Sequence, residues 1–489
     1  MADMYAGWTR LMAAAIGTVA PGAAISYTRK RQALSSYAAA SSTGPNKAWR
    51  PSNRSADELI KVDHTVLRAR GRSLARDSSH VSGALRKVCN NVVFKGIHPQ
   101  ATLKTSAGEV DEVRNARAES IYEAWAEAVN LFEKLNLILR HWWQDGELFV
   151  HYFFDDTLMD QGLLPLGIEL LECDHLDISR NGQFPNGSKI KQGIEYDAAG
   201  RVVAYWLYPE HPGDSTWLTM AASKRYTIDF VDHLFVRERI SQNRGVPWLV
   251  SVIMEMRDFN EYQSAERTAA RLAAAFGIFV TTPYPEQHLT GTSPIGADGQ
   301  VGVDDLPDYL EPGRIQPIPP GMDIKTAANE RPGQTYEPFT KNVLRGASAG
   351  FNMSYEAYSN DYTDASYASA RSASLEERRG YKVQQYLLSN MFLHKAWNRL
   401  WRLNRLTQQH QFPSIVPVTW HMPGWPWVDP DKDSKAAERD ILNGLNSRRK
   451  VCSERGTDYD EILNDLKKEE EDGFPLGGES EGVNDGDEG

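Results

Sequence analysis

Three cysteines in 489 residues, Cys89, Cys173 and Cys452, are too few and too scattered for a disulfide framework or a zinc cluster. They leave an odd thiol and point to a reducing compartment, the cytosol by default. Long apolar runs are missing too. The longest candidate, "LMAAAIGTVAPGAAI" after Arg10, is alanine-dominated, broken by Gly17 and Pro21-Gly22, and too short to span a bilayer. No glycine loop with phosphate-cradling spacing occurs, so no nucleotide-binding fingerprint is present and no cofactor is expected. Lysine and arginine vanish from Glu469–Gly489, which holds nine carboxylates and accounts for most of the net charge of -11.

The opposite imbalance lies at the other end: Arg29–Asn90 carries thirteen basic residues against four acidic ones. That asymmetry suggests a basic face meeting something anionic and an acidic end that stays solvated. Residues up to about 51 are rich in Ser, Ala and Pro and read as loosely ordered. Helical spacing then sets in with Val81, Leu85, Val88 and Val92, and continues through Ile121, Trp125, Val129, Phe132 and Leu139. The period changes in "GELFVHYFF", "LGIELLE", "KQGIEYDAAGRVVAYWLYP" and "VDHLFVRE", which read as strands, the third as a hairpin across "DAAG". Residues 52–240 are therefore expected to be a mixed α+β unit.

A Gly-Val-Pro-Trp corner follows, in which Gly245 permits a sharp turn and Pro247 suits the first turn of a helix. Beyond it Leu249, Val252, Ile253, Met256, Phe259, Ala265, Ala269, Leu272 and Phe276 recur at three and four residues. A helix over 249–276 would span about 42 Å. The next 43 residues, Thr281–Asp323, hold eight prolines and six glycines, so no long helix crosses them. Helical spacing returns with Phe339, Val343 and Leu344, a polar, tyrosine-rich stretch follows, and a periodic segment runs from Ser366 to about Leu406. Two short amphipathic helices are expected before the acidic tail.

Three patterns invite a chemical reading. "GASAG" over 346–350 fits a nucleophile elbow with Ser348, followed by Asp361 or Asp364 and by His394, His410 or His421 in hydrolase order, but the preceding "FTKNVLR" is helical where an elbow needs a buried strand. Cys173-Asp174-His175 would place thiol and imidazole on one side of a strand, with no oxyanion loop in view. Asp155-Asp156 and Asp304-Asp305 are adjacent loop carboxylates of the kind that usually stay solvated. No catalysis and no metal site is expected. Two other readings stay open: an esterase-like hydrolase using Ser348, and a basic nucleic-acid-binding scaffold using residues 29–90.

"RGVPWLVSVIMEMRDFNEYQSAERTAARLAAAFGIFV", "LEPGRIQPIPPGMDIK" and "NVLRGASAGFNMSYEAYSNDYTDASYASAR", in that order, resemble the lambda-type portal proteins of tailed bacteriophages. "ARDSSHVSGALRKVCNNVVFKGI" and "ERGTDYDEILNDLKKEEE" are similar as well, so the likeness covers about Leu59–Asp472; Thr363 and Ala368 stand where serines are expected. The resemblance implies an α+β, mainly helical portal fold with wing, stem, clip and crown. It places a flexible segment at 1–51, the wing at 52–240, the first stem helix at 241–280, the clip at 281–323 and the second stem helix at 324–352. The tunnel loop falls at 353–366, the long helix with wing and crown parts at 367–430, and the crown helices with the acidic tail at 431–489. It implies Arg244, Gly245, Pro247 and Trp248 at the wing–stem joint. Tyr355, Glu356, Asn360, Asp361, Tyr362, Thr363 and Asp364 would face DNA from the tunnel loop, and Pro294, Asp304, Asp305 and Tyr309 would lie in the clip. The implied partners are further copies of the chain, typically twelve, double-stranded DNA in the channel, the terminase large subunit, capsid and scaffold proteins, and neck or head-completion proteins, with no membrane. The implied place is the virion's portal vertex, reached from the host cytoplasm during assembly.

Overall fold

A computed structural model describes Ala48 and residues 51–214, 222–275, 279–281, 323–325, 335–407 and 412–473. The chain divides into two compact units, 1–61 and 62–489, and every described strand lies in the second. Among the described residues no helix is long and apolar enough to cross a membrane.

The second unit begins inside helix α1 (Ala56–Asp77), and α2 (Ser79–Val92) follows, with Val81, Leu85, Val88 and Val92 buried along one stripe. Strand β1 (His98–Ala101) leads to α3 (Glu112–Ala128) and α4 (Leu131–Gln144). Tyr122 of α3 sits among the rings of Trp125, Trp397 and Trp420, with centroids 5.2–5.7 Å away. Two of these tryptophans have their polar ends satisfied: Trp125 donates to the Leu166 carbonyl at 2.8 Å and Trp397 to that of Val416 at 2.7 Å.

Strand β2 (Glu147–Phe154) is the hinge of the packing. It is the centre of an antiparallel three-stranded sheet, between β3 (Leu166–Glu172) and β9 (Val231–Phe235). Because side chains alternate, Leu148, Val150 and Tyr152 enter the main core while Phe149 enters a second core with Leu171, Cys173, Tyr205 and Val231. A strand buried on both sides reads as an unbroken apolar run, which is why "LFVHYFF" does not alternate. The short helix α5 (Asp156–Asp160) joins β2 to β3, capped by Asp155, whose carboxylate accepts from Thr157 N–H. Strands β4 (Gly182–Gln183), β5 (Lys189–Lys191), β6 (Ile194–Tyr196), β7 (Val202–Leu207) and β8 (Lys224–Thr227) form a five-stranded antiparallel sheet in sequence order.

After the corner, Trp248–Ser251 makes one 3-10 turn and α6 runs from Ile253 to Ala275. The strands β10 (Phe279–Thr281) and β11 (Asp323–Lys325) pair antiparallel, Val280 opposite Ile324. Residues 282–322 lie outside the described part, and with them Pro294, Asp304, Asp305 and Tyr309. Helix α7 (Tyr336–Gly350) returns alongside α6, followed by α8 (Tyr355–Ser359). The long helix consists of α9 (Tyr367–Leu388), one π-turn over Ser389–Leu393 and α10 (His394–Leu406). Strand β12 (Val418–His421) pairs with β1, and α11 (Pro430–Leu442), α12 (Arg448–Arg455) and α13 (Tyr459–Glu471) complete the order.

Four expectations need adjusting. The helix expected from Leu249 starts as a 3-10 turn, and the region expected as helix from 324 opens with the strand Asp323–Lys325 and becomes helical only at Tyr336. The stretch expected as an open loop at 353–366 contains α8, because Ser354 caps it by accepting from Ala357 N–H at 3.1 Å. Cys173-Asp174-His175 is a 3-10 turn, not strand: β3 ends with Glu172 opposite Leu148, near the start of β2, so the ladder has no further partner.

Candidate functional site

The corner at 244–248 is built around one buried carboxylate. Glu147, the first residue of β2, is wholly buried, and the Arg244 guanidinium grips it, Nε lying 2.7 Å from Oε1 and 3.1 Å from Oε2. Gly245 N–H donates to Oε2 at 2.7 Å, and His233 Nε2 lies 2.9 Å from the same oxygen. His64 sits on the other side, Nε2 at 3.7 Å from Oε1 and Nδ1 at 3.4 Å from Arg244 Nη2. Burial alone would push the Glu147 carboxyl up, but the Arg244 charge and the His233 contact outweigh it and hold it well below the carboxylate range. Burial pushes His64 down to about 4 and also lowers His233, so both rings are neutral at pH 7 and the centre contains one anion and one cation.

Two glycines make the crossing possible. A Cβ on Gly245 would lie 2.1 Å from the Gly146 carbonyl oxygen, and Gly146, at φ +85°, would drive its own Cβ to 2.2 Å from the Val246 carbonyl carbon. Trp248 then packs on Trp143 at 5.2 Å, and Trp143 stacks on Phe351 at 5.0 Å. The corner thus ties β2, α4, the start of α6 and the end of α7 together.

The same approach explains "GASAG". A Cβ on Gly350 would lie 2.2 Å from Val252 Cγ1, and one on Gly346 2.4 Å from Glu255 Oε1, so these glycines are where α7 meets α6. Ser348 lies inside α7, buried, its hydroxyl donating to the Arg345 carbonyl at 2.9 Å. No strand precedes it, and no histidine is among its described hydrogen-bond partners. Among the described residues one group could gather a metal ion, Glu172, Asp174 and His211. There Arg72 already lies between the carboxylates, at 2.8 Å from Glu172 and 2.6 Å from Asp174.

The segment 354–366 is held on several sides. Tyr358 is buried, its ring 5.3 Å from Phe351 and 5.9 Å from His80. Lys87 of α2 bonds the Ala357 carbonyl and, at 2.5 Å, Asn360 Oδ1, at the end of α8 where Asn360 turns left-handed with φ 59°. Asp361 accepts the Tyr355 hydroxyl at 2.9 Å and the Thr363 N–H at 3.1 Å. Hydrogen bonds from Thr363 and Tyr355 bring its carboxyl down to about 2. Lys341 of α7 lies 2.9 Å from Glu337 and 3.1 Å from Asp364, and the Arg345 guanidinium sits 5.3 Å from the Tyr355 ring centre. Tyr362, Thr363 and Asp364 form the exposed tip, whereas Glu356 is half-buried and has no ion pair among the described residues. Sequence reading missed Lys87 and Lys341, which reach the segment from 270 and 23 residues away.

Residues 42–385, more than half of the chain, match the family described as phage portal protein, lambda family. The chain belongs to the lambda family of phage portal proteins. This portal chain is 27% identical to the probable portal protein of Halomonas phage phiHAP-1, over 90% of its own length and 87% of that protein's. It is 22% identical to portal protein B of Escherichia phage lambda, over 86% of each. Solved structures similar to it include the neck of the native gene transfer agent particle computed with C12 symmetry, at 10% identity and TM-score 0.41, over 81% of this chain and 99% of that one. The family is structural rather than enzymatic, which agrees with Ser348 lying mid-helix.

Proposed function

We propose that the chain forms a ring, typically of twelve copies, at one capsid vertex of the virion. DNA is packaged and ejected through this channel, and terminase and neck proteins dock on it. Family membership supports the portal role, and one structural observation supports the ring. From Asn260 to Arg271 no side chain of α6 is buried, a stretch of about 18 Å. Among the described residues, the first half of α7 accompanies α6 over that stretch, Tyr262 meeting Tyr336 at 5.9 Å and Phe339 at 4.8 Å. Two paired helices leaving the core together, with small exposed residues such as Ala265 and Ala270, present sides that the described residues of one chain do not cover. Neighbouring copies cover them in this reading, α6 and α7 being the stem.

The β10–β11 ladder holds both ends of the excursion 282–322, which suits a clip borne on that stem. The segment 353–366 faces DNA, and α9 and α10 run through the wing toward a crown made by α11–α13. Capsid and scaffold proteins meet the outer surface during assembly in the host cytoplasm. Negative-stain microscopy of the purified protein tests the ring: closed rings with an axial hole are expected, and a stable monomer at micromolar concentration across salt conditions refutes it.

A further inference from the structure

Of the three carboxylates in the segment 355–364, only one points its charge at the exposed tip with an outside cation on it. Asp361 is occupied by donors of the segment itself, and Glu356 is half-buried. Asp364 is exposed, and its partner comes from α7: the Lys341 ammonium, shared with Glu337 one turn earlier on that helix. Both carboxylates are three-quarters exposed while the lysine side chain is 23% exposed, so the cation is the more enclosed member of the group.

We propose that Lys341 is the positioning residue for the 360–366 stretch and the cation that DNA phosphate meets there; this rests on the reading of that segment as DNA-facing. An ammonium has three donors, and Glu337 and Asp364 engage two. An exposed ion pair is weak and screened by water, so it holds a tip in place yet exchanges partners readily. Phosphate passing the tip competes with Asp364 for the same ammonium, and the contact is made and released with little net change. A free lysine would grip each phosphate, whereas an uncompensated aspartate would repel it.

Lys341 therefore has two consequences, and they separate in variants. Lys341→Met and Asp364→Asn both break the tip contact, so in purified rings each should raise amide exchange over 360–366 about two- to fivefold. Lys341→Arg should restore it. DNA packaging into procapsids carrying the variant rings should separate the two, only Asp364→Asn slowing it. Asp364→Asn leaves Lys341 with Glu337 alone, so the ammonium holds DNA more firmly and slows packaging, more strongly at low salt; Lys341→Met removes the cation, so packaging is not slowed and loses salt sensitivity. Unchanged exchange in Lys341→Met rings overturns the positioning role. Packaging shifted the same way by both variants marks a merely structural contact and overturns the charge exchange. Raised exchange with unchanged packaging in both means the segment does not face DNA, and the inference falls with that reading while the anchor stands.

Discussion

Replacing Arg244 with alanine removes the one cation from a site where Glu147 is wholly buried. Breaking a buried pair from one side costs about 3–5 kcal/mol, because the remaining charge is left uncompensated. At about 2.1 cal/mol/K of unfolding entropy per residue, the unit 62–489 has roughly 0.9 kcal/mol/K, so the melting midpoint should fall by roughly 3–6 °C. The pH dependence is more diagnostic than the size. In the wild type His64 has its folded pKa depressed to about 4, so between the unfolded value near 6.5 and about 4 the unfolded chain binds the extra proton. Stability is then present above pH about 6.5 and lost as pH falls toward 4, by on the order of 3 kcal/mol from this ring. His233, also depressed, acts in the same direction. Without Arg244, a proton on either ring replaces the missing positive charge beside Glu147. Their folded pKa values then rise, and the acid-side loss should flatten or invert. Urea unfolding of wild type and Arg244→Ala at pH 7.5, 6.5 and 5.5 measures this. A loss under about 1 kcal/mol, or the wild-type pH slope retained in the variant, refutes the description of the centre as one anion, one cation and two neutral rings.

Gly245→Ala should prevent formation of the corner, since its Cβ would sit 2.1 Å from a backbone oxygen, and soluble yield against a Gly83→Ala control, whose Cβ would meet nothing within 4 Å, would show it. Ser348→Ala should leave ring assembly intact and change stability by only about 1 kcal/mol, the value of its hydroxyl bond to Arg345; a hydrolytic activity lost in that variant contradicts the mid-helix placement. Replacing Gln287–Asp308 by a short Gly/Ser linker should leave rings intact, because the β10–β11 ladder already holds the ends together and closure entropy changes slowly with length. Terminase pull-down and packaging should then be lost, and their survival argues against the clip assignment.

Regular local features were legible in the sequence. The stripe Val81, Leu85, Val88 and Val92 announces α2, and the apolar run of β2 announces a strand buried on both sides. What stayed hidden was long-range pairing. Nothing near Gly245 says that Gly146 lies against it, and nothing near Asp364 points to Lys341. The short α8 has no room for a periodic stripe, leaving only the Ser354 cap as a sign. The basic excess over 29–90 also looked more outward-facing than it is. Arg68 turns to Asp174 at 3.2 Å and Arg72 to Asp145 at 2.6 Å, in ion pairs whose acidic members come far later in the chain.

The β1–β12 ladder sets the timetable of synthesis. His98 pairs with His421, and Ala101 with Val418, so the strand emerges more than three hundred residues before its partner. At 5–20 residues per second, it waits on the order of 20–60 s on the ribosome. During that wait Tyr122 lacks both Trp397 and Trp420, its later neighbours. The amino-terminal third of the chain thus keeps part of its apolar surface uncovered through most of synthesis, and the aromatic core closes only when the last quarter has been made.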